Sequence, residues 1–424
     1  MDGSEKDILD VLLKKGVSIP SPESVEIGHD IDPEKISGEG VTIHSGCKIY
    51  GNKTLIMPDV EIGFEAPATI DNCQVGRGVK LKGGFFFDSC FLEGAIIGSG
   101  AQIREVCLLE EKAKVGHTVG LKQTILFPFV TLGSLINFCD CLMAGGTDEK
   151  NHSEVGSSYI HFNYTPNQDK ATPSLIGDIP EGVMINQRPV FLGGQGGLVG
   201  PVRINYGTVI AAGTIARKDF LEKDKMLLGY TTLAKSIPFH PGLYTNVKRI
   251  ITLNTIYIAN LITLRRWYLD VRSLFVKNGP MENLLLEGAV DKIERAIAER
   301  IKRLGEVAKK MPRSIQIGKK DKSGSAISGA SRKNREFSDK WPEIEHAFTD
   351  RLNEKGDQPF RNSFLNILEK KMKEEGKIYL DIIRGLSQSE ARLGTDWLKG
   401  IVMEISNHIW EIVPSFKIDG SRYL

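Results

Sequence analysis

Eighteen residues separate Arg104 from Lys122, and each follows a large aliphatic residue, Ile103 and Leu121. The interval is three steps of six, and two cations that a regular chain brings to one face suit a phosphate. Further on, the segment from Gly145 to Thr172 gathers Asp148, Glu149, Lys150, His152, Glu154, His161, Asn163, Tyr164, Asp169 and Lys170. It reads as an irregular excursion that interrupts a regular scaffold, the kind of loop on which sites are carried. Histidine is the natural base at neutral pH, so His152 and His161 are the candidate proton acceptors.

The scaffold that must position these residues has a period of six. Ile97, Ile103, Leu109, Val115 and Leu121 follow one another without a slip, and Ala101, Cys107, Ala113, Val119 and Ile125 form a second series four residues behind. After a slip of one, the register resumes at Leu126, Leu132 and Phe138, with Val130, Ile136 and Leu142 in the second slot. It returns at Leu192, Leu198, Ile204 and Ile210, and a weaker version runs through Ile43, Ile49 and Leu55. A step of six fits no α-helix. It suits short strands joined by turns, each with one large and one small inward residue, and such units bury their faces only by stacking. An antiparallel sandwich would show strand signals every ~8–12 residues instead.

At 424 residues the chain is long enough for at least two domains. Its 41% hydrophobic and 25% charged residues exclude a disordered or collagen-like class. With 55 basic and 53 acidic residues, nothing global attracts nucleic acid or an anionic membrane, and neither partner is expected. The start, MDGSEKDILD, lacks the regions of a secretory signal, and no apolar run reaches the ~18 residues of a membrane span, which points to the cytoplasm. The six cysteines, Cys47 to Cys141, show no CxxC pair and no zinc spacing; they read as reduced packing residues, and no metal is expected.

Glycine divides the chain: 32 of 44 lie in residues 1–242. Residues 5–15 read as an amphipathic helix ending at Gly16, which caps the first coil, so the expected domains are a capping helix over 1–17, a repeat domain over 18–242 and a helical domain over 243–424. In the last, Ile250, Leu253, Tyr257, Leu261, Leu264, Tyr268, Val271 and Phe275 make one helical face. Leu286, Val290, Ile293, Ile297, Ile301 and Leu304 make a second that stops before Pro312, forming an antiparallel hairpin. Residues 313–336 hold seven basic and two acidic residues with Gly and Ser and read as a mobile basic loop. Helices resume near 338, where Trp397, Ile401, Ile405 and Ile409 form another apolar face that reads as core or subunit interface.

The hexad run, together with FNYTPNQDKATPSLIGD and VFLGGQGGLVGPVRINYGTVIAAGTIARKD, resembles the hexapeptide-repeat acyltransferases, and among them the acetyltransferase half of the bifunctional bacterial enzyme that makes UDP-N-acetylglucosamine. The resemblance covers roughly residues 95–220. It implies a mainly β architecture with an α part: a left-handed parallel β-helix of three hexads per coil, followed by the helical C-terminal domain. It also implies a homotrimer with sites between neighbouring β-helices. Three hexads per coil would stack Arg104 and Lys122, which match the cations that hold the sugar phosphate. Asn163 and Tyr164 match a sugar-contacting pair, Lys170 lies within a residue or two of a family lysine, and Gly194 and Ala212 match the wall along which the cofactor, acetyl-coenzyme A, lies.

The implied function is N-acetyl transfer to an aminosugar phosphate or nucleotide sugar. Ser134 stands where the family has its catalytic histidine, and Asn137 where it has a tyrosine, so the base would have to be His152 or His161. No Gly-rich nucleotide loop is found, and a uridylyltransferase domain is not expected. Two other classes remain: a non-catalytic repeat scaffold that binds a sugar phosphate or a protein, and a γ-class carbonic anhydrase, which would need zinc histidines such as His117, His152 and His161.

Overall fold

The computed structural model describes residues 3–229, 236, 239–245, 247–276, 279–320, 325–376 and 378–418. Among them the repeat folds into three parallel sheets that the chain visits in turn. The first sheet has ten strands, from Thr42–Ile43 to Met226–Leu227. The second has ten, from Glu26–Ile27 to Ile215–Ala216, and the third eight, from Leu55–Ile56 to Arg203–Ile204. Every strand pairs in parallel with its equivalent one coil away. Ile103 lies opposite Leu121 in the second sheet, Leu109 opposite Leu126 in the third, and Val115 opposite Leu132 in the first. The predicted inward residues Ile97, Ile103, Leu109, Val115 and Leu121 are at most 4% exposed and share one core running through all the coils. Helix α1, Gly3–Lys15, lies over the first coil, with Leu12 fully buried in that core, and ends at Gly16, whose φ of 106° favours glycine.

Three hexad positions differ from expectation, the first being Leu55, which faces outward toward the helix Pro280–Lys320 while its neighbour Ile56 fills the solenoid. Ile125 and Leu142 lie opposite each other in the third sheet, yet both face outward into the helical core, while their neighbours Leu126 and Met143 fill the solenoid. The coil from Leu109 to Leu126 is one residue shorter than the coil from Ile103 to Leu121. In a strand, a shift of one residue reverses the side that a position faces. The stretch 145–172 is likewise not one excursion, because Glu154–Val155 and Ile160–Phe162 continue the first and second sheets. The true departures are residues 144–153 and 163–173.

The outer face of the third sheet is apolar, with Cys90, Leu92, Leu108, Ile125, Leu142 and Leu175 all buried beneath helices. After the short α2, Ile179–Gly182, helix α3, Val247–Asp270, is buried almost all round, so apolar residues extend beyond the one predicted face. Helix α4, Pro280–Lys320, crosses the solenoid beside it. Helices α5 (Ser325–Asp339), α6 (Trp341–Asp350), α7 (Gln358–Glu375), α8 (Tyr379–Arg384) and α9 (Gln388–Ile412) complete the bundle. Trp397, Ile401, Ile405 and Ile409 of α9 are core residues of it.

The basic stretch 313–336 is largely helical rather than a loop. Helix α4 continues through Pro312 to Lys320, α5 begins at Ser325, and residues 321–324 lie outside the described ones. Exposed Pro312, Arg313 and Lys319 face solvent, while Ile315, Asn334 and Phe337 are buried. The Asn334 amide donates to the Tyr244 carbonyl, and the Tyr244 N–H donates to Ser314 Oγ. Net charge masked an amphipathic pattern here.

Candidate functional site

The corners between the second and third sheets are turned by residues with left-handed backbone: Asn72, Asp88, Val106, Gln123 and Asp140. Asp, Asn and Gln side chains leave these corners as acceptors, and α4 runs past them with the complementary charge. Lys292 and Arg295 bind Asp88 at 2.7 and 2.6 Å; burial raises the Asp88 carboxyl, but its bonds to Arg295 and Lys292 outweigh this and hold it below the usual range. Two turns along α4, the buried Arg300 donates to Asp140 Oδ1 at 2.8 Å and to the Lys170 carbonyl at 3.1 Å. Lys310 then reaches the Asn167 carbonyl at 2.8 Å.

Beside Asp140 lies a cleft of about 370 Å³, lined by Arg104, Lys122, Gln123, Asn137, His161, Asn163, Tyr164 and Lys170 from the solenoid and Glu299, Arg300 and Arg303 from α4. Larger hollows lie between α4 and α6 and beside α8, but neither contains the stacked cation pair. Arg104 and Lys122 sit one coil apart in adjacent register, since the Arg104 N–H donates to the Leu121 carbonyl. Lys122 is paired with Glu105, whereas the Arg104 and Lys170 side chains make no ion pair or hydrogen bond with the described residues. Asp140 uses both oxygens, one on Arg300 and one accepting from the Asn163 amide at 3.1 Å. Gln123 Oε1 is buried without a partner. The unpaired positive charge of Arg104 and Lys170 in one concavity suits an anion.

The histidines are less favourable. His161 is 3% exposed, its Nδ1–H donates to the Cys139 carbonyl at 2.5 Å, and its Nε2 accepts from Ser174 Oγ at 2.7 Å. Burial drives its imidazole down to about 4, so it is neutral, with both nitrogens engaged. His152 does not line the cleft; its Nδ1 meets the Glu149 carbonyl on the exposed departure after the third sheet. Ser134 stands at the corner between the first and second sheets, its Oγ 2.8 Å from Nδ1 of His117. Gly194 and Ala212 stack at that same corner, where the Gly213 N–H donates to the Gly194 carbonyl, at the opposite edge of the second sheet from the cleft's acidic corner. Among the described residues of one chain, no three His, Cys, Asp or Glu side chains could hold a metal ion. The six cysteines are buried free thiols. No described helix is long and apolar enough to cross a membrane.

Sequence reading missed Asp140, Glu299, Arg300 and Arg303. A signal existed: Asp88, Gln123 and Asp140 recur at coil spacing, and Lys292, Arg295, Glu299, Arg300 and Arg303 recur at helical spacing.

The parallel coils and their hexad core define the class by fold: the chain is a hexapeptide-repeat β-solenoid followed by a helical region. Searched against family models, it matches none. It is similar to the bifunctional protein GlmU of Thermotoga petrophila, 27% identical over 212 residues, covering 50% of this chain and 42% of the relative. The GlmU of Burkholderia vietnamiensis is 28% identical over 233 residues, covering 55% and 46%. The chain thus spans less than half the length of these curated relatives. Among solved structures, UDP-N-acetylglucosamine O-acyltransferase (LpxA) from Moraxella catarrhalis is 14% identical, covering 66% of this chain and 95% of that one, with a TM-score of 0.25. A superposition that loose carries no argument.

Proposed function

We propose that the cleft binds the phosphate of an amino sugar, free or carried on a nucleotide, and that the chain transfers an acetyl group from acetyl-coenzyme A to the sugar amine. The observation that carries the binding step is the meeting of Arg104, Lys122 and Lys170 in one cleft, with Arg104 and Lys170 lacking a carboxylate partner. Charge-assisted hydrogen bonds to phosphate are roughly twice as strong as neutral ones. Asn163, oriented by Asp140, and the exposed Tyr164 supply polar contacts for sugar hydroxyls. Gly194 and Ala212 would leave room for the pantetheine arm, and assembly as a homotrimer would bring that corner beside a neighbour's cleft.

One observation favours a second reading, sugar-phosphate binding without turnover. Amine acetylation needs a proton acceptor within ~3 Å or one water away. His152 lies outside the cleft, and His161 spends both nitrogens on Cys139 and Ser174. Thiol release from acetyl-coenzyme A, measured against a panel of aminosugar phosphates, separates the two. Turnover that falls ~10²-fold or more in His161→Ala or His152→Ala identifies a base and supports transfer. Saturable binding with no turnover across the panel supports the binding reading.

A further inference from the structure

Helix α4 lies outside the repeat, yet it builds one wall of the cleft. Arg300, 3% exposed at its side chain, plugs α4 into Asp140 and the Lys170 carbonyl. Successive helical residues are turned by about 100°, so the neighbouring row, Glu299 and Arg303, faces a different direction and lines the cleft. Arg303 is clamped by Glu299 Oε1 at 2.6 Å and by both oxygens of Glu306 at 2.9 and 3.2 Å. Two carboxylates line the cleft, Asp140 and Glu299. Asp140 has both oxygens committed, whereas Glu299 Oε2 has no hydrogen-bond partner among the described residues. The cleft therefore offers free cations from the solenoid and one free carboxylate oxygen from the helical wall.

We propose that Glu299 recognises the ammonium group of a ligand whose phosphate rests on Arg104, Lys122 and Lys170. The helical half then selects amino sugars over neutral sugars. This rests on the sugar-phosphate reading above and adds to it the source of amine selectivity. Within the cleft, a fixed carboxylate aligned with a bound ammonium is a charge-assisted contact that a neutral hydroxyl does not match.

The test is calorimetric titration of the full chain with glucosamine 1-phosphate and with glucose 1-phosphate, which differ at the amine alone. Wild type should prefer the amino sugar about tenfold. Glu299→Gln should lose that preference through weaker glucosamine 1-phosphate binding, leaving glucose 1-phosphate affinity unchanged. Glu306→Gln loosens the same arginine from outside the cleft and should keep the preference. If Glu299→Gln weakens both ligands equally or neither, or if Glu306→Gln erases the preference as well, Glu299 only holds Arg303 and the proposal is overturned. Arg104→Ala with Lys122→Ala reports on the underlying reading. Loss of both ligands in that double variant with an unchanged preference in Glu299→Gln refutes the proposal alone. Wild type that binds neither ligand refutes both.

Discussion

The second and third sheets turn their inward residues into one core and differ in the row that faces out. On the third sheet, Cys90, Leu108, Ile125 and Leu142 are apolar, and α3 and α4 cover them. On the second, Gln102, Lys122 and Asn137 are polar and stay uncovered, except where α4 reaches over the corner to Asp140. The inner hexad makes a coil stack; the outer row decides what that stack meets. One solenoid thereby presents a docking face for a helical domain and, one corner away, a charged cleft.

Charge placed on each row should break this comparison unequally. Leu109→Asp puts a carboxylate into the solenoid core and should abolish the cooperative thermal transition, since burying an unpaired charge costs several kcal/mol. Leu108→Asp places the same carboxylate between the third sheet and the helices, and should strongly lower the melting temperature and loosen α3 and α4 first, read by hydrogen exchange. Gln102→Asp on the exposed row of the second sheet should change stability by no more than about 0.5 kcal/mol in a denaturant titration. Equal losses at Leu108 and Gln102 would contradict the division of the faces.

pH sharpens the contrast, because Glu110 and His161 are buried in the two regions and shift in opposite directions. Under the helices, Tyr268 donates to Glu110 at 2.6 Å, and burial pushes the Glu110 carboxyl up to about 7. A carboxyl raised above its unfolded value binds its proton more tightly when folded. Its contribution is full below about 4.5 and is lost as pH rises through 7. His161, held down to about 4 by burial, behaves oppositely: its contribution is full above about 6.5 and is lost as pH falls through 4. Melting temperatures of Glu110→Gln and His161→Gln, each subtracted from wild type across pH 4.5–6.5, should give difference curves of opposite slope. Parallel slopes would mean that one of the two environments is misjudged.

Much of the solenoid was legible because its signal is local and periodic: Ile97 to Leu121 needs only a count of six. The same count misled at Ile125 and Leu142, where a one-residue shortening at a corner turned the row outward. Arg104, Lys122, Asn163, Tyr164 and Lys170 were found because coil spacing and one polar segment mark them, and all five line the cleft. Glu299, Arg300 and Arg303 were not, since they lie about 130 to 200 residues away along the chain and only packing of α4 on the solenoid brings them together. Net charge hid the helices of 313–320 and 325–336 for a related reason: an average over a segment erases the face on which Ile315 and Phe337 are buried.

The central claim is that two stacked cations hold a phosphate, and the direct measurement is calorimetric binding of glucosamine 1-phosphate to wild type and to the Arg104→Ala, Lys122→Ala double variant. The account predicts saturable wild-type binding that weakens with added salt, and a loss of about tenfold or more in the variant at an unchanged melting temperature. Equal affinity in the two proteins would contradict it.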